Sequence, residues 1–226
     1  MTKIIAFDLD GTLIDSAPDI TFALNKVLVN NKLKSVSNKE VKNLIGNGAK
    51  ALIIDSFKKQ NTEINDINKL TEMFLLEYKK CFKNKTKLYK NVDRTLQFLR
   101  NNNYNMILVS NKPEYYVKKL LDHLNINHYF LSVSGGDTFP FRKPNPEHLF
   151  STITKTKKFN NIQGIFVGDS KFDFMCAQNA NWPCILFSQG YSDIDIEQLD
   201  CYEIFDDYKD LPPMINQIFE NYKYNS

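Results

Sequence analysis

Short apolar runs rich in β-branched residues recur along this chain, and stretches with helical periodicity lie between most of them. The runs predict strands at residues 3–7, 105–109, 130–134, 164–167 and 183–187, with a weaker one at 203–205. Helical patterns lie at residues 93–102, 113–124, 146–157 and 172–179. Such alternation is typical of a parallel sheet covered by helices on both faces. The sequence therefore predicts an α/β fold with a doubly wound parallel-sheet core.

One segment interrupts the alternation. Residues 19–30, 38–44, 49–59 and 66–82 all carry helical periodicity, and no strand pattern stands out among them. Inserts and active sites both occur in loops at the carboxyl edge of a parallel sheet. We therefore predict an all-helical second domain at residues 15–85, inserted into an α/β core made of residues 1–14 and 86–226, with a last helix near residues 207–222.

Composition narrows the class of protein. The net charge of +3 is spread over 29 basic and 26 acidic residues, so nothing in it indicates a nucleic-acid partner. No apolar stretch is long enough for a membrane span, and the first residues lack a signal-peptide pattern. The four cysteines form no C-x-x-C pair, which favours a reducing, cytoplasmic setting. We expect a monomer or homodimer acting on a small molecule.

Polar side chains follow the predicted strands where each one ends. The segments concerned are Asp8-Leu9-Asp10-Gly11-Thr12, Ser110-Asn111-Lys112, Lys143-Pro144, and Gly168-Asp169-Ser170 with Asp173. Because carboxyl ends of parallel strands meet at one edge, these segments should converge. Clustered carboxylates suit a hard divalent cation such as Mg²⁺, and an ammonium group suits a phosphate. The set predicts phosphoryl chemistry.

Each signal also has a plainer interpretation. A lone Asp-x-Asp is often a turn or a helix cap, and only its combination with Lys143 and Asp169 favours catalysis. For Lys112 the sequence leaves two interpretations: a residue that contacts the substrate, or a solvated lysine on the surface. The turn Gly46-Asn47-Gly48 superficially fits a dinucleotide-binding pattern, which requires a preceding strand, whereas residues 40–45 read as helical. A turn between two helices is the simpler interpretation.

The four segments, in this order, resemble the four motifs of the haloacid dehalogenase-like hydrolase superfamily, whose core is Rossmann-like. The resemblance covers nearly the whole chain, including a helical cap after the first motif. It implies that Asp8 attacks phosphorus and forms an aspartyl-phosphate, and that Asp10 acts as general acid and base. The other implied roles are phosphoryl binding by Thr12, Ser110 and Asn111, charge pairing by Lys143, Mg²⁺ binding by Asp8, the Asp10 carbonyl and Asp169, and support from Asp173.

A narrower resemblance is to the phosphoglycolate phosphatase branch, carried by residues 15–19, 45–49 and 142–146. It implies that the turn of Gly46, Asn47 and Gly48 touches the substrate, and that this substrate is 2-phosphoglycolate. The alternatives are a β-phosphoglucomutase-like phosphomutase, a phosphatase for nucleotides, sugar phosphates or pyrophosphate, and a non-catalytic binding module. The segments Ala180-Asn181-Trp182 and Phe139-Pro140-Phe141 depart from the family pattern.

Overall fold

The computed structural model describes residues 1–155, 159–192 and 194–221. Six parallel strands form one sheet in the order β5-β4-β1-β6-β7-β8. The bounds are β1 Thr2–Phe7, β4 Asn105–Val109, β5 Phe130–Ser134, β6 Ile162–Gly168, β7 Cys184–Phe187 and β8 Glu203–Phe205. All six predicted strands are present, and the predicted α/β parallel-sheet fold is confirmed.

Strand β1 lies in the middle of the sheet and sets the position of its carboxyl edge. Ile5 pairs with Met106 of β4 on one side and with Ile165 of β6 on the other. The last four residues of β1 are completely buried, which explains why its sequence is continuously apolar rather than alternating. The chain runs from β1 to β4 and β5 on one side and then returns to β6 on the other. Crevices form where the strand order reverses in this way, at the end of β1.

Helices cover both faces of the sheet. Ile5 and Phe7 pack in one apolar cluster with α5 (Val92–Asn101), α6 (Glu114–His123) and α9 (Leu211–Asn221). Ile4 and Ala6 pack in a second cluster with α7 (Glu147–Thr154) and α8 (Lys171–Asn179). The predicted ends of α7 and α9, at residues 157 and 222, lie outside the described residues.

Four helices follow β1 along the chain and precede the other strands of this sheet, and we call them the helical insert. They are α1 (Ala17–Asn30), α2 (Asn38–Lys42), α3 (Gly48–Lys58) and α4 (Ile67–Cys81). A two-stranded antiparallel ribbon of β2 (Ile14–Asp15) and β3 (Lys87–Leu88) joins both ends of the insert. This ribbon was not predicted. The division into domains at 15 and 85 stays a prediction.

Two further expectations concern the cysteines and the membrane. Cys81, Cys176, Cys184 and Cys201 are all free thiols, and the first three are buried. Among the helices of the described ranges, none is both long enough and apolar enough to cross a bilayer.

Candidate active site

The ends of the central strands bring the four polar segments together. Asp8 directly follows β1, and its backbone N–H donates to the carbonyl of Val167 in β6 at 3.0 Å. Ser110 directly follows β4, and its N–H donates to the carbonyl of Ser134 in β5 at 3.1 Å. Asp169 follows β6 in the same way. These residues lie at one edge of the sheet because the three strands run parallel.

Lys143 connects two carboxylates in the centre of this site. Its Nζ lies 2.6 Å from Asp8 Oδ1 and 2.6 Å from Asp173 Oδ1, with all three side chains buried. Burial alone would lower the pKa of Lys143, but the negative charges of Asp173 and Asp8 outweigh it and raise that pKa. Lys143 is therefore a permanently charged group fixed beside Asp8.

Asp8 is short of positive charge despite this lysine. Burial raises its pKa to about 7, the charges of Asp173 and Asp10 add to the rise, and Lys143 opposes it. Burial, followed by the charges of Asp173 and Asp8, also raises the pKa of Asp169. Buried carboxylates that repel one another in this way form a site that a divalent cation would stabilise.

The geometry of the cluster allows a test of which carboxylates could hold such a cation. Oxygens of Asp8, Asp169 and Asp173 lie within 4.8 Å of one another. Asp173 accepts from Lys143, from the N–H groups of Asp169 and Ser170, and from the Ser170 hydroxyl. Three of these donors share Oδ2 and Lys143 takes Oδ1, so both oxygens of Asp173 are engaged. Asp8 and Asp169 accept fewer bonds and retain capacity for a metal, so Mg²⁺ fits them, whereas Asp173 orients Lys143 and the backbone after β6.

Two neighbours fix the side chain of Asp169. The Thr12 hydroxyl donates to Asp169 Oδ1 at 2.7 Å, and the backbone N–H of Tyr191 donates to Oδ2 at 2.6 Å. The hydroxyl of Thr12, expected to bind a phosphoryl group, is thus directed at a carboxylate in this structure. Thr12 is completely buried, and its phosphoryl contact stays a prediction.

Asp10 is held by a lysine and a serine. Lys112 Nζ donates to Asp10 Oδ1 at 3.0 Å and to Oδ2 at 2.9 Å, and the Ser16 hydroxyl donates to Oδ1 at 2.5 Å. The Lys112 side chain is buried and its Nζ lies 4.6 Å from the centre of the Tyr78 ring. The interpretation of Lys112 as a solvated surface lysine is therefore wrong.

The glycine turn of the insert lies directly against the core. Gly46 and Gly48 have positive φ angles of 125° and 81°, which residues with a side chain rarely adopt. The Asn111 amide donates to the carbonyl of Gly46 at 2.9 Å and to that of Lys143 at 3.1 Å. Asn47 occupies the N-cap position of α3. Asn111 therefore links the turn to the loop that carries Lys143.

A cavity of about 50 Å³ lies between the insert and the core, with room for a few water molecules. Its lining comprises Asp8, Asp10, Ser110, Asn111 and Lys112 from the core side, and Ile20, Gly46, Gly48, Phe74 and Tyr78 among others from the insert. The nucleophile candidate and the glycine turn thus face the same cavity.

The chain matches the model of the haloacid dehalogenase-like hydrolase family over residues 5–187, which is most of its length. It belongs to this family. The resemblance inferred from the four motifs is confirmed, and so is the expectation of a hydrolase.

Known relatives match the hydrolase over nearly its whole length. It is 33% identical to a phosphoglycolate phosphatase of Agrobacterium fabrum (strain C58), across 95% of the chain and 93% of the relative. It is 35% identical to that of Haemophilus influenzae (strain 86-028NP), across 92% and 96%. A crystal structure from Haemophilus somnus 129PT, described as a predicted phosphoglycolate phosphatase, superimposes with a TM-score of 0.85 at 32% identity, covering 94% and 97%. These similarities support the phosphoric monoester hydrolase predicted from the sequence.

The sequence analysis did not identify Tyr191 as a residue of this hydrolase's site. The Tyr191 hydroxyl donates to Asp15 Oδ1 at 2.6 Å and accepts from the N–H groups of Ser16 and Ala17 at 2.7 and 2.9 Å. Tyr191 therefore joins Asp169 to the start of α1. Its position just after β7 is the only signal that could have found it, because loops after neighbouring parallel strands meet at the same edge.

Proposed function

We propose that this hydrolase is a Mg²⁺-dependent phosphatase that converts 2-phosphoglycolate to glycolate and phosphate through an aspartyl-phosphate on Asp8. The observation that carries the proposal is the pairing of Asp8 with Lys143 at the end of β1. Asp169 lies in the same carboxylate cluster, and the glycine turn of the insert lines the cavity that Asp8 faces.

The side chains divide the chemistry between them. Asp8 supplies the carboxylate oxygen that attacks phosphorus, while Lys143 stabilises negative charge beside it. Asp10, two residues further on, gives a proton to the departing glycolate oxygen and later takes one from the attacking water. Ser110, Asn111 and Thr12 would donate hydrogen bonds to the phosphoryl oxygens, Asn111 and Thr12 in exchange for acceptors that they have in this structure. Ser110 and Asn111 line the cavity, which is consistent with that role.

Asp8, Asp169 and the main-chain carbonyl of Asp10 would hold the Mg²⁺ ion. Bound there, Mg²⁺ supplies positive charge that offsets the repulsion among the carboxylates and neutralises the phosphoryl oxygens. Asp173 would keep Lys143 in place through its ion pair with the Lys143 ammonium group.

The choice of substrate rests on the relatives. The relatives that cover nearly all of this chain are phosphoglycolate phosphatases. Residues of both the insert and the core line the cavity at Asp8, so a bound substrate would contact both parts. Movement of the insert away from the core would admit substrate, and its return would exclude water from the site.

Phosphate release from a set of metabolites, measured with Mg²⁺, tests the proposal. We expect 2-phosphoglycolate to give the highest kcat/KM, ahead of hexose phosphates, nucleotides and pyrophosphate, and EDTA to abolish turnover. Asp8→Asn should remove activity while the circular dichroism spectrum stays unchanged. Acid quenching of the parent during turnover, followed by borohydride reduction and peptide mass spectrometry, should detect homoserine at position 8.

Three outcomes would contradict the proposal. Near-normal turnover by Asp8→Asn would show that Asp8 is not the nucleophile, and full activity in EDTA would show that the reaction needs no metal ion. Isomerisation of a sugar phosphate without phosphate release would indicate a phosphomutase instead. The monomeric or dimeric state and the cytoplasmic location stay predictions.

A further inference from the structure

The cavity contains one cation that phosphoryl transfer does not require. Among the described residues that line it, the charged groups are Asp8, Asp10 and Lys112. Lys143 already serves Asp8, so Lys112 is a second, separate ammonium group. A lysine buried to 93% is kept in place only by specific partners, and Asp10 alone accounts for two of its three N–H donors.

Tyr78 presents a hydrogen-bond donor to the same space. It belongs to α4 of the insert, lines the cavity, and is only 2% exposed. Its hydroxyl has no hydrogen-bond partner within the part of the chain that the structure describes. Burial, and then the charges of Asp10 and Asp19, raise the pKa of Tyr78 well above its ordinary range, so the phenol keeps its proton. A buried donor without an acceptor is costly unless a ligand supplies one.

The two groups lie next to each other and next to Asp10. Lys112 Nζ is 4.6 Å from the centre of the Tyr78 ring and about 3 Å from both Asp10 oxygens. In the proposed reaction Asp10 gives its proton to the ester oxygen of the substrate. In 2-phosphoglycolate a single methylene carbon separates that oxygen from the carboxylate. A carboxylate attached so close to the ester oxygen is within reach of a cation that touches Asp10.

We propose that Lys112 and Tyr78 form the subsite for the substrate's carboxylate, with Lys112 supplying the positive charge and the Tyr78 hydroxyl a hydrogen bond. The inference rests on the proposed function and adds the residues that make it selective for short phosphorylated 2-hydroxy acids. The subsite is shared between core and insert, so an acidic substrate also holds the two parts together. Without Lys112, the carboxylate would face Asp10 with no ammonium group among the described residues that line the cavity.

The experiment compares two substrates of equal length. In 2-hydroxyethyl phosphate a CH₂OH group replaces the carboxylate of 2-phosphoglycolate. The quantity measured is the ratio of kcat/KM for 2-phosphoglycolate to kcat/KM for 2-hydroxyethyl phosphate, with Mg²⁺ present. Because both substrates release a primary alcohol with the help of Asp10, an effect of a substitution on Asp10 lowers both values and largely cancels in this ratio. Lys112→Met should lower it by about 10- to 100-fold, and Tyr78→Phe by about 10-fold.

Two matched variants serve as controls. Lys50→Met removes a lysine of the insert that is exposed and bonded to Asn68. Tyr116→Phe removes the hydroxyl of another cavity tyrosine, one that already donates to the carbonyl of Leu75 at 2.7 Å. Both should leave the ratio within about twofold of the parent, because Lys50 is not among the described residues that line the cavity and the Tyr116 hydroxyl already has an acceptor.

Binding supplies a readout independent of turnover. Calorimetric titration of Asp8→Asn with each phosphate ester, with and without Lys112→Met, should show the same loss of preference for 2-phosphoglycolate. An unchanged ratio in Lys112→Met, or an equal change in the control variants, would overturn the subsite. If the parent did not hydrolyse 2-phosphoglycolate, the proposed function would fail, and the ratio of the two affinities would still decide whether Lys112 and Tyr78 select a carboxylate.

Discussion

At the scale of single residues, two glycines make room for Asp169. A Cβ on Gly11 would lie 2.2 Å from Asp169 Oδ2, and one on Gly190 would lie 2.3 Å from Asp169 Cβ. Gly11 also has a φ of 88°, a conformation that other residues adopt only with strain. The position of a candidate metal ligand therefore depends on the absence of side chains on both sides of it.

Gly11→Ala should weaken metal binding as well as stability. The positive φ and the contact with Asp169 should together cost about 1–3 kcal/mol of unfolding free energy. Displacement of Asp169 should in addition reduce the rise in melting temperature that Mg²⁺ produces in the parent. Gly48→Ala is the matched control, since Gly48 has a φ of 81° but its Cβ would meet Arg142 Nη1, at 3.1 Å, and the carbonyl of Asn111, at 3.2 Å.

The control should lose stability through its positive φ angle and keep the full Mg²⁺ shift. The measurement is a thermal melt of each variant over a series of Mg²⁺ concentrations. A Gly11→Ala variant with the Mg²⁺ response of the parent would show that Asp169 is not a ligand, or that it tolerates displacement.

At the scale of elements, the sequence predicted a strand or helix wherever burial of the element produced a pattern of apolar residues. Strand β1 is buried on both faces and its apolar run was unmistakable, so its predicted and observed bounds differ by one residue. The ribbon of Ile14–Asp15 and Lys87–Leu88 could not be predicted, because strands of two residues show no periodicity. Asn181, in one of the segments that depart from the family pattern, has a φ of 55°, so asparagine takes a left-handed turn position that usually favours glycine.

Some residues of the candidate site could likewise be predicted from the sequence, and others could not. Residues next to strand ends could be placed together from topology alone, as with Asp8, Ser110 and Asp169. Tyr78 lies in the last turn of α4, on the apolar face that packs in the core, so its sequence neighbourhood contains no hint of a free hydroxyl. The pairing of Lys112 with Asp10 depends on the chain path over 102 residues, which periodicity does not encode.

Asp19 links the two ends of the helical insert. It lies in the first turn of α1, is almost completely buried, and accepts hydrogen bonds from the N–H groups of Lys85 and Thr86 and from the Thr86 hydroxyl, at 2.8 to 3.1 Å. Asp19→Asn replaces one acceptor oxygen with an NH₂ group facing these donors. We expect a loss of about 1–3 kcal/mol in unfolding free energy.

Urea unfolding followed by circular dichroism and by fluorescence of the single tryptophan, Trp182, measures this loss. Asp66→Asn is the control, because Asp66 caps α4 by accepting from the N–H of Lys69, and asparagine caps a helix equally well. A loss for Asp19→Asn no larger than that of the control would show that water replaces these bonds without cost.

At the scale of the whole molecule, a histidine in the core connects stability to pH. His148 is completely buried, and its Nε2 lies 3.0 Å from the hydroxyl of Ser134. Burial lowers the pKa of His148 to about 4, and the charge of Lys143 adds to the effect. In the unfolded chain an ordinary histidine has a pKa of about 6.5. Between these two values the unfolded chain binds a proton that the folded chain does not.

The consequence is a loss of stability toward acid. Above pH 6.5 the imidazole is neutral in both states and has no effect; as the pH falls from 6.5 toward 4, each unit costs up to about 1.4 kcal/mol. His148→Gln keeps a hydrogen-bonding group and removes the titration. Its unfolding free energy, measured in urea, should therefore fall less than that of the parent between pH 7.5 and 5.5, by about 1 kcal/mol. His123→Gln, which changes an exposed histidine, should follow the parent, and a His148→Gln variant that also did so would show that His148 takes up its proton without unfolding.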